Sequence, residues 1–279
     1  MPTTMSPGTR TWKRWTTTCR LVVTDVTRTA RAYDLANRLM GRIESAIDCY
    51  SPTSEISRLT AGTHEVSALL ASVLDAALDV ERATDGLVTP VLGAWPRSRS
   101  RIRLDGSMLT LGAGIRLDLG ATGKARAADL IADRIHRECG TGVLVSLGGD
   151  IATAGGPIGG WQVAVQDAED DPALTVSLAA GAAIATSSTL HRQWRDERGH
   201  LGHHLRDPRT GTSARTPWRT ATVVAPTCLE ANGAATAALI RGVEGPEWLR
   251  RAGLPARLVG IDGRIDTFHG FPSEMKAVS

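Results

Sequence analysis

Residues 117–129, Leu-Asp-Leu-Gly-Ala-Thr-Gly-Lys-Ala-Arg-Ala-Ala-Asp, constrain this chain more than any other stretch. Ile115, Leu117 and Leu119 alternate with Arg116 and Asp118, the two-residue period of a strand. Gly120 and Gly123 then allow a tight turn or a close approach of backbone to a ligand. Past Lys124 the apolar positions Ala127, Leu130, Ile131 and Ile135 take helical spacing, and Gly140 stands where it would end the helix. A strand-to-helix turn of this kind aims backbone N–H groups at one point and suits an anion such as phosphate. Lys124 adds a positive charge there; it is one of only three lysines, the others being Lys13 and Lys276. By itself such a turn is punctuation more often than a ligand site. It matches neither the Gly-x-Gly-x-x-Gly dinucleotide fingerprint nor the Gly-x-x-x-x-Gly-Lys-Ser/Thr phosphate loop.

Composition narrows the class. The chain has 279 residues, 42% of them hydrophobic and 22% charged, with a net charge of +3. That is an ordinary globular balance, and the charge is too small to argue for nucleic acid. Cys19, Cys49, Cys139 and Cys228 are scattered, with no Cys-x-x-Cys pair, so they give neither a zinc cage nor a disulfide framework. The first twenty residues lack the apolar core of a secretory signal, and no apolar run of about 18 residues could span a bilayer. A cytoplasmic protein with reduced thiols is expected.

Taken in order, residues 1–14 read as a polar lead-in and 16–24 as a strand. A helix over 28–49 places Ala32, Leu35, Leu39, Ile43 and Ile47 on one stripe, with Thr27 as its N-cap. The Pro turn at 50–58 is either a connector or a loop presenting Tyr50 and Glu55 to a ligand. A second helix spans 67–84 and ends at Asp85-Gly86. Residues 87–95 form an irregular or edge strand, 96–103 a solvated stretch, and Asp105-Gly106 a hairpin turn. Further strands fall at 143–147, 161–166, 174–178, 182–185, 219–225 and 256–261. Helices fall at 228–240 and 246–252, and the tail from Pro272 is loose. Strands outnumber helices and many are hairpin-linked, which predicts an α+β fold rather than an alternating parallel one. No composition shift marks a boundary, so one domain is expected.

Polar turns punctuate the strand ends at 50–58, 118–124, 148–150, 186–188 and 203–211, and loops on a rigid scaffold are where function concentrates. No Gly-x-Ser-x-Gly elbow is present for a serine hydrolase. His203 and His204 are adjacent, and neighbours in a strand do not face one metal ion. Residues 207–211, Asp-Pro-Arg-Thr-Gly, also make a good simple turn.

In this order the turns resemble the FAD:protein FMN transferase family, the ApbE flavin transferases. Tyr50-Ser-Pro-Thr-Ser-Glu-Ile-Ser-Arg-Leu59 matches the family's Tyr-x-x-x-Ser-Glu-x-Ser-Arg-Leu block, and Thr84-Asp-Gly86 into Pro90 matches its Thr-x-Gly-x-x-x-Pro segment. Residues 117–129 match Asp-Leu-Gly-x-x-x-Lys-x-x-x-x-Asp. Ser146-Leu-Gly-Gly-Asp150, Ala185-Thr-Ser187 and His204-Leu-Arg-Asp-Pro-Arg-Thr-Gly211 follow, and Glu230-Ala-Asn-Gly-Ala-Ala-Thr236 matches the closing metal helix. The likeness runs over about residues 12–260.

The resemblance implies a single ApbE-type, T-fold-like domain over residues 12–265, with mixed, largely antiparallel sheets packed by helices and tails at 1–11 and 266–279. It implies FAD as substrate, Mg²⁺ or Mn²⁺ as the cofactor, and a target flavoprotein carrying a Ser/Thr flavinylation motif as partner. A hydroxyl of that target attacks the FMN-side phosphorus and AMP leaves. By resemblance the metal ligands are the backbone oxygen of Ala121 and the side chains of Asn232 and Thr236. Trp15, Tyr50, Leu87, Val88, Thr89, Asp118, Lys124 and Arg206 fall where the family contacts FAD, and His204 falls at its acid/base residue. The family has Asp where this chain has Asn232, Gly at Ser188 and at Ala125, and often an aromatic at Arg126. Loss of the charge at 232 predicts weaker metal binding, restored about tenfold by Asn232→Asp. FAD hydrolysis to FMN and AMP, or FAD binding without catalysis, are the alternatives.

Overall fold

An eight-stranded, wholly antiparallel sheet organises the protein. The computed structural model describes residues 6–92, 101–168, 171, 173–195, 199 and 201–272. The strands are β1 (Gly8–Arg14), β2 (Thr17–Val23), β3 (Val143–Leu147), β4 (Asp150–Ala154), β5 (Ala183–Ser188), β6 (Trp218–Ala225), β7 (Ala256–Gly260) and β8 (Ile265–Phe268), adjacent in the sheet in that same order. Helices α1 (Thr29–Ile47), α2 (Ala68–Ala83), α3 (Gly123–Cys139), α4 (Cys228–Arg241) and α5 (Gly245–Ala252) complete the α+β architecture.

The alternation of each strand sorts its side chains into two layers. Val143, Val145 and Leu147 of β3 join Leu21 and Val23 of β2 in a core shared with Ala32, Ala36, Met40 and Ile43 of α1 and with Ile131 and Ile135 of α3. Leu144 and Ile184 point the other way, against a hairpin of Trp161–Val165 and Leu174–Leu178. With both faces covered, the middle strands read as continuous apolar runs. A smaller cluster joins α2 to the three-stranded sheet of Gly62–Glu65, Met108–Leu111 and Ile102–Asp105.

Helix α4 lies against the sheet with nearly every residue buried. Its small residues make that possible. A Cβ at Gly233 would stand 2.7 Å from Val80 Cγ1, so α2 crosses α4 where a side chain is missing. The N-terminus of α4 is capped from within by Thr227, whose hydroxyl accepts the Glu230 N–H at 3.1 Å. It is capped from outside by Asp129 of α3, which accepts the Cys228 and Leu229 N–H groups at 2.8 and 3.0 Å. One carboxylate thus ties the helix that follows the Lys124 turn to the helix that carries Asn232.

Several expectations are corrected. Residues 8–14 are not a lead-in but strand β1, paired residue by residue with β2. Its outward Thr, Arg and Lys hide the alternation. Strand β8 and buried Phe271 likewise extend the packed fold past residue 265. Thr27 is not the cap of α1. Asp25 caps a 3₁₀ turn, Val26–Arg28, by accepting the Thr27 N–H at 2.9 Å, and α1 begins after it. Strand β4 escapes the sequence because Asp-Ile-Ala-Thr-Ala carries little strand signal; its pairing with β3 and β5 makes it one. In the edge strand read over 87–95, only Val91–Leu92 is extended, paired with Arg116–Leu117, and residues 93–95 lie outside the described part. Most of the stretch at 96–103 and of the tail from 272 also lies outside it. All four cysteines are free, and no described helix is long and apolar enough to cross a membrane.

Candidate active site

The register of the sheet brings the polar turns to one end. Cys19 pairs with Leu147, so the β1–β2 turn at Trp15 and Thr16 lies beside the β3–β4 turn at Gly148 and Gly149. Gly148, at φ 72, donates its N–H to the Thr18 carbonyl, and a Cβ there would meet the Thr17 hydroxyl at 2.6 Å. Ala185 pairs with Asp150, so residues 186–188, the last of β5, lie at this same end. Helix α3 begins here too, because Lys124 Nζ reaches Asp150 Oδ2 at 3.1 Å. A Cβ on Gly123 would stand 2.7 Å from Ile47 at the end of α1, so the turn is seated against α1.

Five side chains from four elements form the centre. Asp150, at the start of β4, is almost fully buried and holds two partners, Lys124 on one oxygen and Asn232 Nδ2 on the other at 2.9 Å. Asn232 Oδ1 is buried with no hydrogen-bond partner among the described residues. One helical turn on, the Thr236 hydroxyl meets the Ser187 hydroxyl at 2.7 Å. Asn232 and Thr236 thus share the face of α4 that looks toward the strand ends, as their i, i+4 spacing requires. Cys228, fully enclosed on the same helix, has its thiol pKa pushed well up by burial, with the Asp150 and Asp129 charges adding to it.

The Lys124 turn is built as the sequence predicts. Asp118 Oδ1 accepts the Gly120 N–H at 2.7 Å, and the Thr122 and Gly123 N–H groups close on the Leu119 carbonyl. Among the described residues the turn's backbone hydrogen bonds do not end on the Ala121 carbonyl. Asp118 also lies beside Cys49, whose pKa is raised by burial first and by the Asp118 carboxylate second.

The other predicted residues fall into two groups. Leu87 and Val88 are buried in apolar clusters, so only their backbone is available to a ligand. Thr89 donates its hydroxyl to Glu81 Oε1 at 2.6 Å. Trp15, at φ 51, is half-buried against the main core, and its neighbour Thr16 is at φ 58; two non-glycine residues thus occupy left-handed backbone in a two-residue hairpin turn. Tyr50 projects with 90% of its surface exposed, its N–H held by Asp48. Arg206 is exposed and donates to the Gly211 carbonyl within its own turn. Among the described residues no hydrogen bond or ion pair joins either to the Asp150 cluster.

His203 and His204 diverge, as adjacent residues should. His203 Nε2 lies 3.1 Å from the Ala214 carbonyl and His204 Nδ1 lies 3.2 Å from the His191 carbonyl. Burial of one side of the His204 ring lowers its pKa below 6.5 despite the His191 carbonyl, and the charges of Arg192, His203 and Lys124 lower it further. With Nδ1 donating to that carbonyl, the neutral ring carries its proton on Nδ1 and leaves Nε2 as a proton acceptor.

Sequence reading passed over Asp150, Ser187, Glu81 and Asp129 as working residues. Asp150 and Ser187 stood inside quoted motifs, and Asp129 ended one. Glu81 gave no signal; it is 1% exposed, with Oε2 lacking a described partner, on a helix whose pattern there reads as polar.

The donor set suits a hard divalent cation. Among the described residues no three His, Cys, Asp or Glu side chains converge, and the ligand set that the resemblance implies consists of neutral oxygens. The Asn232 amide oxygen, which has no described partner, the Thr236 hydroxyl and the Ala121 backbone carbonyl are such oxygens, and they fit Mg²⁺, which takes few protein ligands and completes its shell with substrate phosphates and water. Lys124 and the α3 N-terminus suit the phosphates themselves.

Sequence comparison matches residues 15–258 to the ApbE family. An FAD:protein FMN transferase of Haemophilus influenzae is 26% identical over 76% of this chain and 73% of its own. One from Treponema pallidum is 30% identical over 60% of this chain and 49% of its own. The fold is that of the Pseudomonas stutzeri flavinyl transferase ApbE, with a TM-score of 0.82 and 19% identity over 95% of this chain and 96% of that one. The ApbE protein of Thermotoga maritima gives 0.82 and 21% over 95% and 98%. A match over most of the chain, on a fold shared end to end, makes this protein a member of the ApbE family.

Proposed function

We propose that the protein transfers FMN from FAD to a Ser or Thr hydroxyl of a target flavoprotein and releases AMP. The observation that carries this reading is the meeting of Lys124, Asp150, Asn232, Thr236 and Ser187 at the sheet end where the α3 turn opens. The pyrophosphate of FAD lies over the α3 N-terminus with Lys124 as its cation. Asp118, the backbone at Leu87, Val88 and Thr89, and the side chains of Trp15, Tyr50 and Arg206 enclose the rest of FAD. Since Tyr50 and Arg206 stand apart from the centre, their part requires the loops to close over the substrate.

His204 accepts the proton of the attacking hydroxyl on Nε2 while Nδ1 stays bonded to the His191 carbonyl. The acceptor oxygen bonds to the FMN phosphorus, the pyrophosphate P–O bond breaks with its electron pair, and AMP departs. The Ala121 carbonyl, Asn232 Oδ1 and Thr236 Oγ1 would hold Mg²⁺, or Mn²⁺ in its place. Such an ion, when bound, polarises the phosphoryl oxygens and offsets the charge on the leaving phosphate. A cytoplasmic setting belongs to the same reading and is supported by the four free cysteines.

The test is incubation with FAD, Mg²⁺ and an acceptor protein bearing a flavinylation motif, followed by intact-mass measurement. A gain of one FMN on the acceptor, lost in His204→Ala, is expected. Release of FMN and AMP without acceptor would make the protein a hydrolase. FAD recovered intact with either metal and with several acceptors would make it a binding protein.

A further inference from the structure

We propose that Asp150 is a positioning residue that sets which end of the Asn232 amide is offered to the metal ion. The inference rests on Asn232 being a ligand and goes on to what makes a neutral residue serve there. An amide side chain has two ends of nearly equal size and opposite chemistry, and its neighbours decide which end faces where. Asp150 can only accept, so the Asn232 Nδ2 group turns toward it, at 2.9 Å, and Oδ1 is left buried with no partner among the described residues. The carboxylate cannot swing away, because Lys124 holds its other oxygen at 3.1 Å and the residue is 3% exposed. Thr236 is served the same way by Ser187, 2.7 Å off on the next strand. Each side-chain ligand on α4 therefore has its own orienting group on the sheet.

This arrangement changes the expectation for position 232. Charge counting alone predicts that Asn232→Asp tightens the metal. In this structure the new carboxylate would face Asp150 with no donor between them, so the gain requires the pair to be exchanged as a unit.

The experiment is titration of FAD-saturated protein with Mn²⁺, read as free Mn²⁺ by electron paramagnetic resonance. The proteins are wild type, Asp150→Asn, Asn232→Asp and the double variant. Asp150→Asn should weaken Mn²⁺ about tenfold, because nothing then fixes the amide. The double variant keeps the net charge and reverses the hydrogen bond, with the amide at 150 donating to the carboxylate at 232. It should bind at least as tightly as wild type and about tenfold more tightly than Asn232→Asp alone. The proposal falls if Asp150→Asn stays within about twofold of wild type or if the double variant is no tighter than the single ones. Should Asp150→Asn fail to fold by near-ultraviolet circular dichroism, Asn232→Asp against the double variant decides alone. A wild type that takes up Mn²⁺ with FAD but transfers no FMN overturns the transfer reading only. One that takes up no Mn²⁺ with FAD overturns this proposal with it.

Discussion

Asp150 and Asp167 are both buried carboxylates paired with a basic side chain, and they differ in what is left over. Asp167 is closed. Its two oxygens accept from Thr220 Oγ1 and from Arg257 Nη1, each at 2.7 Å, and the Arg257 side chain is 4% exposed. It fastens the end of the Trp161–Val165 and Leu174–Leu178 hairpin to β6 and β7. Asp150 is open. Its basic partner Lys124 is 29% exposed, and its amide partner carries an oxygen with no partner among the described residues. Buried charge is thus no mark of a site in this protein; a buried acceptor left unfilled beside a half-exposed cation is. Under the proposed function the closed cluster contributes stability, while the open one keeps capacity for a ligand at some expense of stability.

Breaking the closed cluster should have the largest effect. Asp167→Ala removes the carboxylate that Thr220 and buried Arg257 share and should lower unfolding stability by about 3 kcal/mol in urea titration, with FAD affinity of the folded fraction unchanged. A loss under about 1 kcal/mol would erase the contrast.

The open cluster should respond in the opposite sense. Lys124→Met should cost only about 1–2 kcal/mol of stability, since Asn232 still bonds Asp150 and water can reach the vacated place. FAD affinity, measured by calorimetry, should fall about tenfold. Equal stability losses for Lys124→Met and Asp167→Ala would mean that both clusters are structural.

Thr236→Ala removes a hydroxyl whose stabilising partner is a single Ser187 contact. Mn²⁺ binding in the presence of FAD should weaken about threefold to tenfold, and thermal stability should stay nearly constant. An unchanged Mn²⁺ midpoint would remove Thr236 from the ligand set.

The smallest effect sharpens the picture at His204. A base must be neutral, and burial holds this ring neutral to a pH below 6.5. The acid limb of the transfer rate should therefore have its midpoint below 6.5, with the rate falling as pH drops through it and flat above. Ring protonation followed by nuclear magnetic resonance should titrate at the same pH; a midpoint above 6.5 would mean that His204 is not the group observed.

What the sequence determined by itself is local. Ile115, Leu117 and Leu119 followed by Ala127, Ile131 and Ile135 encode a strand, a turn and a helix, because side-chain period is a property of neighbouring residues. The spacing of Asn232 and Thr236 put both on one face of α4 before any packing was known, and the hairpin at Asp105-Gly106 follows from its turn residues. The ordered motifs carried the family. What the tertiary structure decided is every pairing across the chain. Strand β1 exists because β2 offers it hydrogen bonds, although Thr, Arg and Lys mask its pattern. Asp150 orients Asn232 across 82 residues of sequence. Glu81, polar in pattern, is buried because α2 packs against the close-approaching Gly233 of α4. Periodicity encodes the face a residue takes within its own element. The partner that face meets depends on long-range packing, and among the described residues that packing left Asn232 Oδ1 without one.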